Sequence, residues 1–139
     1  MTVLGRLFML ALVLPLTACG GDTPTTAVTT SNAPYSQTDL VVGTGTEAVA
    51  TSRVTVSYTG WLYDTSKADG KGLQFDSSTN ATFLLTGVIA GWQRGVVGMK
   101  VNGQRRLIIP PELAYGSSGS GRIPPNATLV FDIGLLGVQ

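Results

Sequence analysis

The chain has 139 residues, enough for one domain with a hydrophobic core and too few for two ordinary ones. It contains no histidine, which excludes Ser-His-Asp, Cys-His and His-zinc chemistry and removes the commonest general base. Nine basic residues against eight acidic ones give no electrostatic footprint for nucleic acid, so weakly charged partners fit better.

The N-terminal stretch "MTVLGRLFMLALVLPLTAC" carries one cation, Arg6, then an apolar run over 7–16, then small residues before Cys19. A run of about ten residues is too short to span a bilayer and reads as the apolar part of a secretory signal covering 1–18. Leu16-Thr17-Ala18-Cys19 resembles the lipobox of bacterial lipoproteins, in which the cysteine is lipidated and becomes the mature N-terminus. The alternative is an ordinary signal cut near Ala18 that leaves a free thiol. Exported proteins usually pair their cysteines, and Cys19 is the sole cysteine, which favours the lipid. Multiple acylation gives firm anchorage, since each buried methylene contributes about 0.8 kcal/mol. Residues 19–34 are rich in Thr, Gly and Pro, have no apolar periodicity, and read as a tether to a domain over 35–139; a loop belonging to that domain is the alternative. The expected location is the bacterial cell envelope, on the extracytoplasmic face of a membrane.

A short strand is expected over 40–42. From Arg53, "RVTVSYTGWLYD" alternates so that Val54, Val56 and Tyr58 share one face and Thr55, Ser57 and Thr59 the other, the pattern of a half-buried strand. Two more short strands are expected over 73–76 and 82–85. Helical spacing occurs in "VIAGWQRGVVGMK", where Ile89, Trp92 and Val96 recur at three and four residues. Strands over 104–110 and 127–137 complete the set, the last with Leu129, Phe131, Ile133 and Leu135 on one side. One sheet covered by one short helix makes an α+β domain.

Five aromatics, Tyr58, Phe75, Trp92, Tyr115 and Phe131, come from five separate segments. Taken singly, each is explained as ordinary core. Tyr115, however, sits in a Gly/Ser loop, and Asp76 directly follows Phe75, so a phenol and a carboxylate border an apolar hollow of the kind that binds ligands.

The segments "VSYTGWL", "FDSS", "VIAGWQRGVVGMKVNGQRRLIIPPELAYG" and "IPPNATLVFDIGLLGV" resemble those of the FKBP-type peptidyl-prolyl cis-trans isomerases, in that family's order and over about 35–138. The resemblance implies a twisted antiparallel sheet wrapped around a short helix, with a proline-binding pocket between them. It implies Tyr58 as a wall tyrosine, Phe75 and Asp76 beside it, and Val88 and Ile89 next to the ligand, with the Ile89 N–H on a substrate carbonyl. Trp92 is then the floor under the proline ring, Tyr115 the hydroxyl donor, Ile123 a loop contact and Phe131 the remaining wall. Tyr58, Asp76 and Tyr115 are the implied catalytic set, with Asp76 orienting polar neighbours rather than taking a proton. An Asp that bonds its own backbone at a strand end is the structural alternative for Asp76. No cofactor or metal is implied. The implied partners are proline peptides or unfolded exported proteins and macrolide inhibitors, bound by a monomer.

Three departures stand out. "ATFLLTGVI" has Ala81 where the family's first phenylalanine of Phe-x-Phe-x-Leu-Gly stands and is shorter before Val88, predicting a more open pocket. The 64–74 hairpin is longer than the family's minimum. The loop after Tyr115 is about one residue short and lacks a histidine or proline. Two other functions stay open at this level: a non-catalytic proline-peptide or chaperone module, favoured by Ala81, and a hydrolase using carboxylates such as Asp76 and Asp132, for which nothing in the sequence places both in one cleft.

Overall fold

The computed structural model describes residues 32–139; the apolar run, Cys19 and most of the tether lie outside them. Five strands form one antiparallel sheet: β1 (Ser36–Val41), β2 (Arg53–Tyr63), β3 (Lys71–Leu84), β4 (Gln104–Ile109) and β5 (Leu129–Val138). Their spatial order is β1-β4-β5-β2-β3, with every neighbouring pair antiparallel. Among the described residues there is one α-helix, α1 (Ala90–Val96), which packs on one face.

The alternation in β2 places Val54 and Val56 in the core and leaves Thr55, Ser57 and Thr59 half-exposed. In β5 the inward set Leu129, Phe131, Ile133 and Leu135 is buried. Val130 is buried as well, although it points to the other face. It lies opposite both Trp61 and Ile108, and directly opposed residues share a face, so their side chains cover it.

The segments at 73–76 and 82–85, expected as separate strands, form one strand, β3. Its register against β2 shifts between Val56 and Tyr58, between Gly60 and Trp61, and between Trp61 and Tyr63. Such bulges let β3 accommodate the polar run Ser77–Asn80 without leaving the sheet. β1 begins four residues before its expected start. Five of its six residues are exposed, because an edge strand paired only with β4 is held by its backbone and shows no hydrophobic pattern.

The helix is shorter than the 88–100 spacing suggested. Gly98, at φ 88°, takes the left-handed conformation that ends helices. Trp92 and Val96 are buried against the sheet, and a Cβ on Gly95 would lie 2.5 Å from Leu107 Cδ1. The helix axis therefore approaches β4 more closely than any side chain allows.

Candidate functional site

A bulge sets the first wall of the site. Gly60 lies opposite Asp76 and Trp61 opposite Gln74, so Phe75 has no partner of its own on β2. Strict alternation would send Phe75 and Asp76 to opposite faces; the extra residue lets both border the same hollow. Gly60 leaves room for them. A Cβ there would sit 2.7 Å from both Phe75 Cζ and Phe131 Cε1, and without it the two rings meet edge to face at 5.5 Å.

The hollow encloses about 340 Å³, within the range of about 300–1,000 Å³ usual for small-ligand sites. Trp92, only 5% exposed, is its base. The Trp92 ring stands nearly perpendicular to Tyr58, Phe83 and Phe131, with centroids 5.3, 5.5 and 5.3 Å away. Such edge-to-face pairs add about 0.5–1.5 kcal/mol each beyond the area they bury. The base is therefore stiff as well as apolar. Trp92 Nε1 is buried and has no hydrogen-bond partner among the described residues.

Polar groups border the hollow at three points. Tyr58 Oη donates to Asp76 Oδ2 at 2.7 Å, while Asp76 Oδ1 accepts the Ser77 N–H at 2.8 Å. Burial, and then the bond to Asp76 and its negative charge, push the Tyr58 hydroxyl up to about 12. Tyr58 thus stays protonated with its proton committed, and Asp76 has both oxygens engaged. Asp76 thus makes a local backbone bond as well, from the middle of β3 rather than from a strand end, and the two bonds use different oxygens. Tyr115, 38% exposed, has a hydroxyl with no hydrogen-bond partner among the described residues. Its loop is held at the base by Gly116 N–H to Pro111 O and Asn126 N–H to Gly116 O, both 2.8 Å. The third point is Ile89. Its carbonyl accepts the Trp92 and Gln93 N–H groups at 3.0 and 3.1 Å, while its own N–H is unpaired among the described residues. The Gln93 side chain donates Nε2 to Val88 O at 2.8 Å and braces this turn.

The structure brings Tyr58, Phe75, Asp76, Val88, Ile89, Trp92, Tyr115 and Phe131 to this one hollow. Ile123 is not among its lining residues. It is 8% exposed and belongs to the core cluster, drawn under its loop by reciprocal backbone bonds with Ser120. Two lining residues were not singled out from the sequence, Phe83 and Gly87. Phe83 lies opposite Val54, on the inward face of its strand. It supplies an aromatic wall near Ala81, so that side is not left bare. Gly87 offered no signal, since its place at the rim follows from the turn Leu85–Gly87.

Asp132 plays no part here. It follows Phe131 in β5 and so points to the opposite face, where it accepts Lys71 Nζ at 2.6 Å and Arg106 Nε and Nη2 at 2.7 and 3.0 Å. Burial tends to raise its carboxyl, but these bonds outweigh that and hold it below the usual carboxylate range. A carboxylate pair with Asp76 across one cleft does not exist.

Residues 44–136 match the family model for FKBP-type peptidyl-prolyl cis-trans isomerases. The chain belongs to this family. It is 45% identical over 105 residues to FK506-binding protein 1B of Neurospora crassa, covering 71% of this chain and 93% of that one. It is 47% identical over 102 residues to a probable FK506-binding protein of Corynebacterium glutamicum, covering 70% and 81%. Among solved structures, a peptidyl-prolyl cis-trans isomerase of Pseudomonas syringae superposes with a TM-score of 0.65 at 40% identity, over 76% of this chain and 75% of that one. FkpA of Escherichia coli gives 0.66 at 41% identity; the match covers 76% of this chain and 48% of FkpA. The chain is accordingly an enzyme, a peptidyl-prolyl isomerase, which decides against the non-catalytic module.

Proposed function

We propose that this FKBP-type isomerase catalyses X-Pro rotation by non-covalent stabilisation of the twisted amide in the Trp92 hollow, and that it serves exported, unfolded chains at a membrane to which acylated Cys19 ties it. The observation that carries the mechanism is the division of labour at the rim. The carboxylate and the half-buried phenol satisfy each other, while two donors, Tyr115 Oη and Ile89 N–H, border the site with no partner among the described residues.

Rotation about an X-Pro bond has a barrier of about 20 kcal/mol because amide resonance must be broken. No bond to carbon is made or cut, so no general base is needed and the lack of histidine is no obstacle. In the planar amide, resonance places charge on the carbonyl oxygen. An apolar enclosure disfavours that polar form relative to the twisted one, and a shape fitted to a twisted proline acts only near the transition state. The proline ring rests on Trp92 between Tyr58, Phe83 and Phe131. Ile89 N–H and Tyr115 Oη hold carbonyl oxygens while the proline side turns, and Asp76 keeps Tyr58 in place. Val88 and Phe75 bound the ring's flanks; Ile123 supports the Tyr115 loop from below.

Relatives named as FK506-binding proteins support a macrolide as a competitor for the same hollow. The near-neutral charge supports uncharged stretches of client chain, and the sequence before residue 35 supports export and a lipid anchor. The test is isomerisation of a prolyl peptide by the detergent-extracted full chain, with FK506 added. Catalysis abolished by the macrolide and by Trp92→Ala is the expected result; catalysis indifferent to both removes the hollow from the mechanism. Intact-mass analysis of the same extract should show acyl mass on Cys19, and an unmodified cysteine overturns the anchor.

A further inference from the structure

The helix that carries Trp92 has little of its own to hold it. α1 has seven residues, two of them glycine, and its N-cap residue Ile89 supplies no capping side chain. An isolated helix is only marginally stable below about 12–15 residues. At its other end one side chain closes it. Arg105 of β4, 8% exposed, donates through Nη1 to Gly95 O at 2.9 Å and to Val97 O at 3.4 Å, and through Nε to Asp39 Oδ1 of β1 at 2.6 Å. The last carbonyls of a helix are unpaired and carry its partial negative charge, so a guanidinium there is favoured by hydrogen bonding and by charge together. Asp39 balances the cation that this placement buries.

Gly95 lies one turn after Trp92, and the same helix starts from Ile89, so one rigid element spans the base of the hollow and one of its donors. We infer that Arg105 is a positioning residue for isomerisation, which locks the C-terminal end of α1 to β4 and β1 and thereby keeps Trp92 and the Ile89 N–H at the places where proline and carbonyl are bound. Arg105 touches no substrate. Its planar fork reaches Asp39 and the helix carbonyls at once, which the single nitrogen of lysine does not. The inference rests on Trp92 being the surface that binds proline.

The chain has two tryptophans, so Trp61→Phe in the full-length protein leaves Trp92 as the sole fluorophore. In that background Asp39→Asn, Arg105→Lys and Arg105→Met are compared at a temperature well below each midpoint. The readouts are kcat/KM on a prolyl peptide, acrylamide quenching of Trp92 and circular dichroism. Asp39→Asn keeps both helix bonds and should stay within about threefold of the parent. Arg105→Lys should lose about threefold to tenfold, and Arg105→Met at least about tenfold with Trp92 more readily quenched. A merely structural arginine would lower the midpoint and leave rate and quenching unchanged in the folded protein. Folded Arg105 variants within twofold of the parent in both readouts overturn the inference, as does failure of both to fold. A parent without isomerase activity would instead count against the proposed mechanism, because Trp92 quenching still reports on Arg105.

Discussion

Tyr58 and Asp76 are joined by a 2.7 Å hydrogen bond from phenol to carboxylate at the wall of the hollow. The pair commits the Tyr58 proton and engages the one carboxylate that lines the hollow among the described residues, which fits a reaction that needs no proton transfer. It also has a signature in pH. The Tyr58 hydroxyl is raised from 10.0 to about 12 by burial first and by Asp76 second. A raised value means the folded state keeps its proton where the unfolded chain has lost it. The associated stability is full below about pH 10 and is lost as pH rises toward 12. Midpoints measured from pH 9 to 12 should therefore fall more steeply for the parent than for Tyr58→Phe; equal slopes would show that burial and Asp76 together do not hold the proton on Tyr58 in solution.

Tyr115→Phe should leave the midpoint nearly unchanged, because the ring is partly exposed and the hydroxyl holds nothing in the fold. The loss should appear in kcat/KM, about threefold to tenfold, as for one hydrogen bond of about 0.5–1.5 kcal/mol. Rate and midpoint on one preparation check this, and an unfolded variant or unaltered kinetics would make Tyr115 a structural tyrosine.

Trp92→Ala should remove binding and stability together. The ring is buried among three perpendicular aromatics, and emptying such a site costs about 3–5 kcal/mol. Denaturant unfolding measures the second effect and peptide or macrolide titration the first.

Asp132→Asn should separate stability from activity in the opposite way. Its carboxyl lies on the far face and, held low by Arg106 and Lys71 against the effect of burial, contributes stability present above the ordinary carboxylate value and lost as pH falls through the folded one. At neutral pH the substitution should cost about 1–2 kcal/mol with kcat/KM unchanged. The parent's advantage should shrink on acidification. A drop in kcat/KM in the folded variant would connect the ion network to the site.

Gly95→Ala tests the close approach of α1. Alanine favours helix by about 1 kcal/mol over glycine, yet its Cβ would press on Leu107, and overpacking costs about 1–3 kcal/mol. Net destabilisation by thermal melting is expected; a stabilised protein would mean that β4 yields.

The residues themselves determine much of this protein. Alternation in Val54-Val56-Tyr58 and Leu129-Phe131-Ile133-Leu135 marks the strands through the core, since a two-residue period is imposed wherever one face is buried. The order of the "FDSS", "VIAGW" and "AYG" segments is enough to point to the family, and the absence of histidine excludes most hydrolytic chemistry. What lies between the strands is another matter. That Phe75 and Asp76 both face inward depends on a bulge, and a bulge is a relation of register between β3 and β2 that neither strand encodes alone. Ile123, which the resemblance puts beside the ligand, is buried under its loop, and Phe83, to which the sequence assigns no role, lines the hollow, because the two situations look the same in an apolar residue read by itself. Arg105, one charge among nine basic residues, becomes the clamp of α1 only where Asp39 and the carbonyls of Gly95 and Val97 converge from two other elements. Local patterns record which face a residue turns; what it meets there is settled by distant segments packing at once.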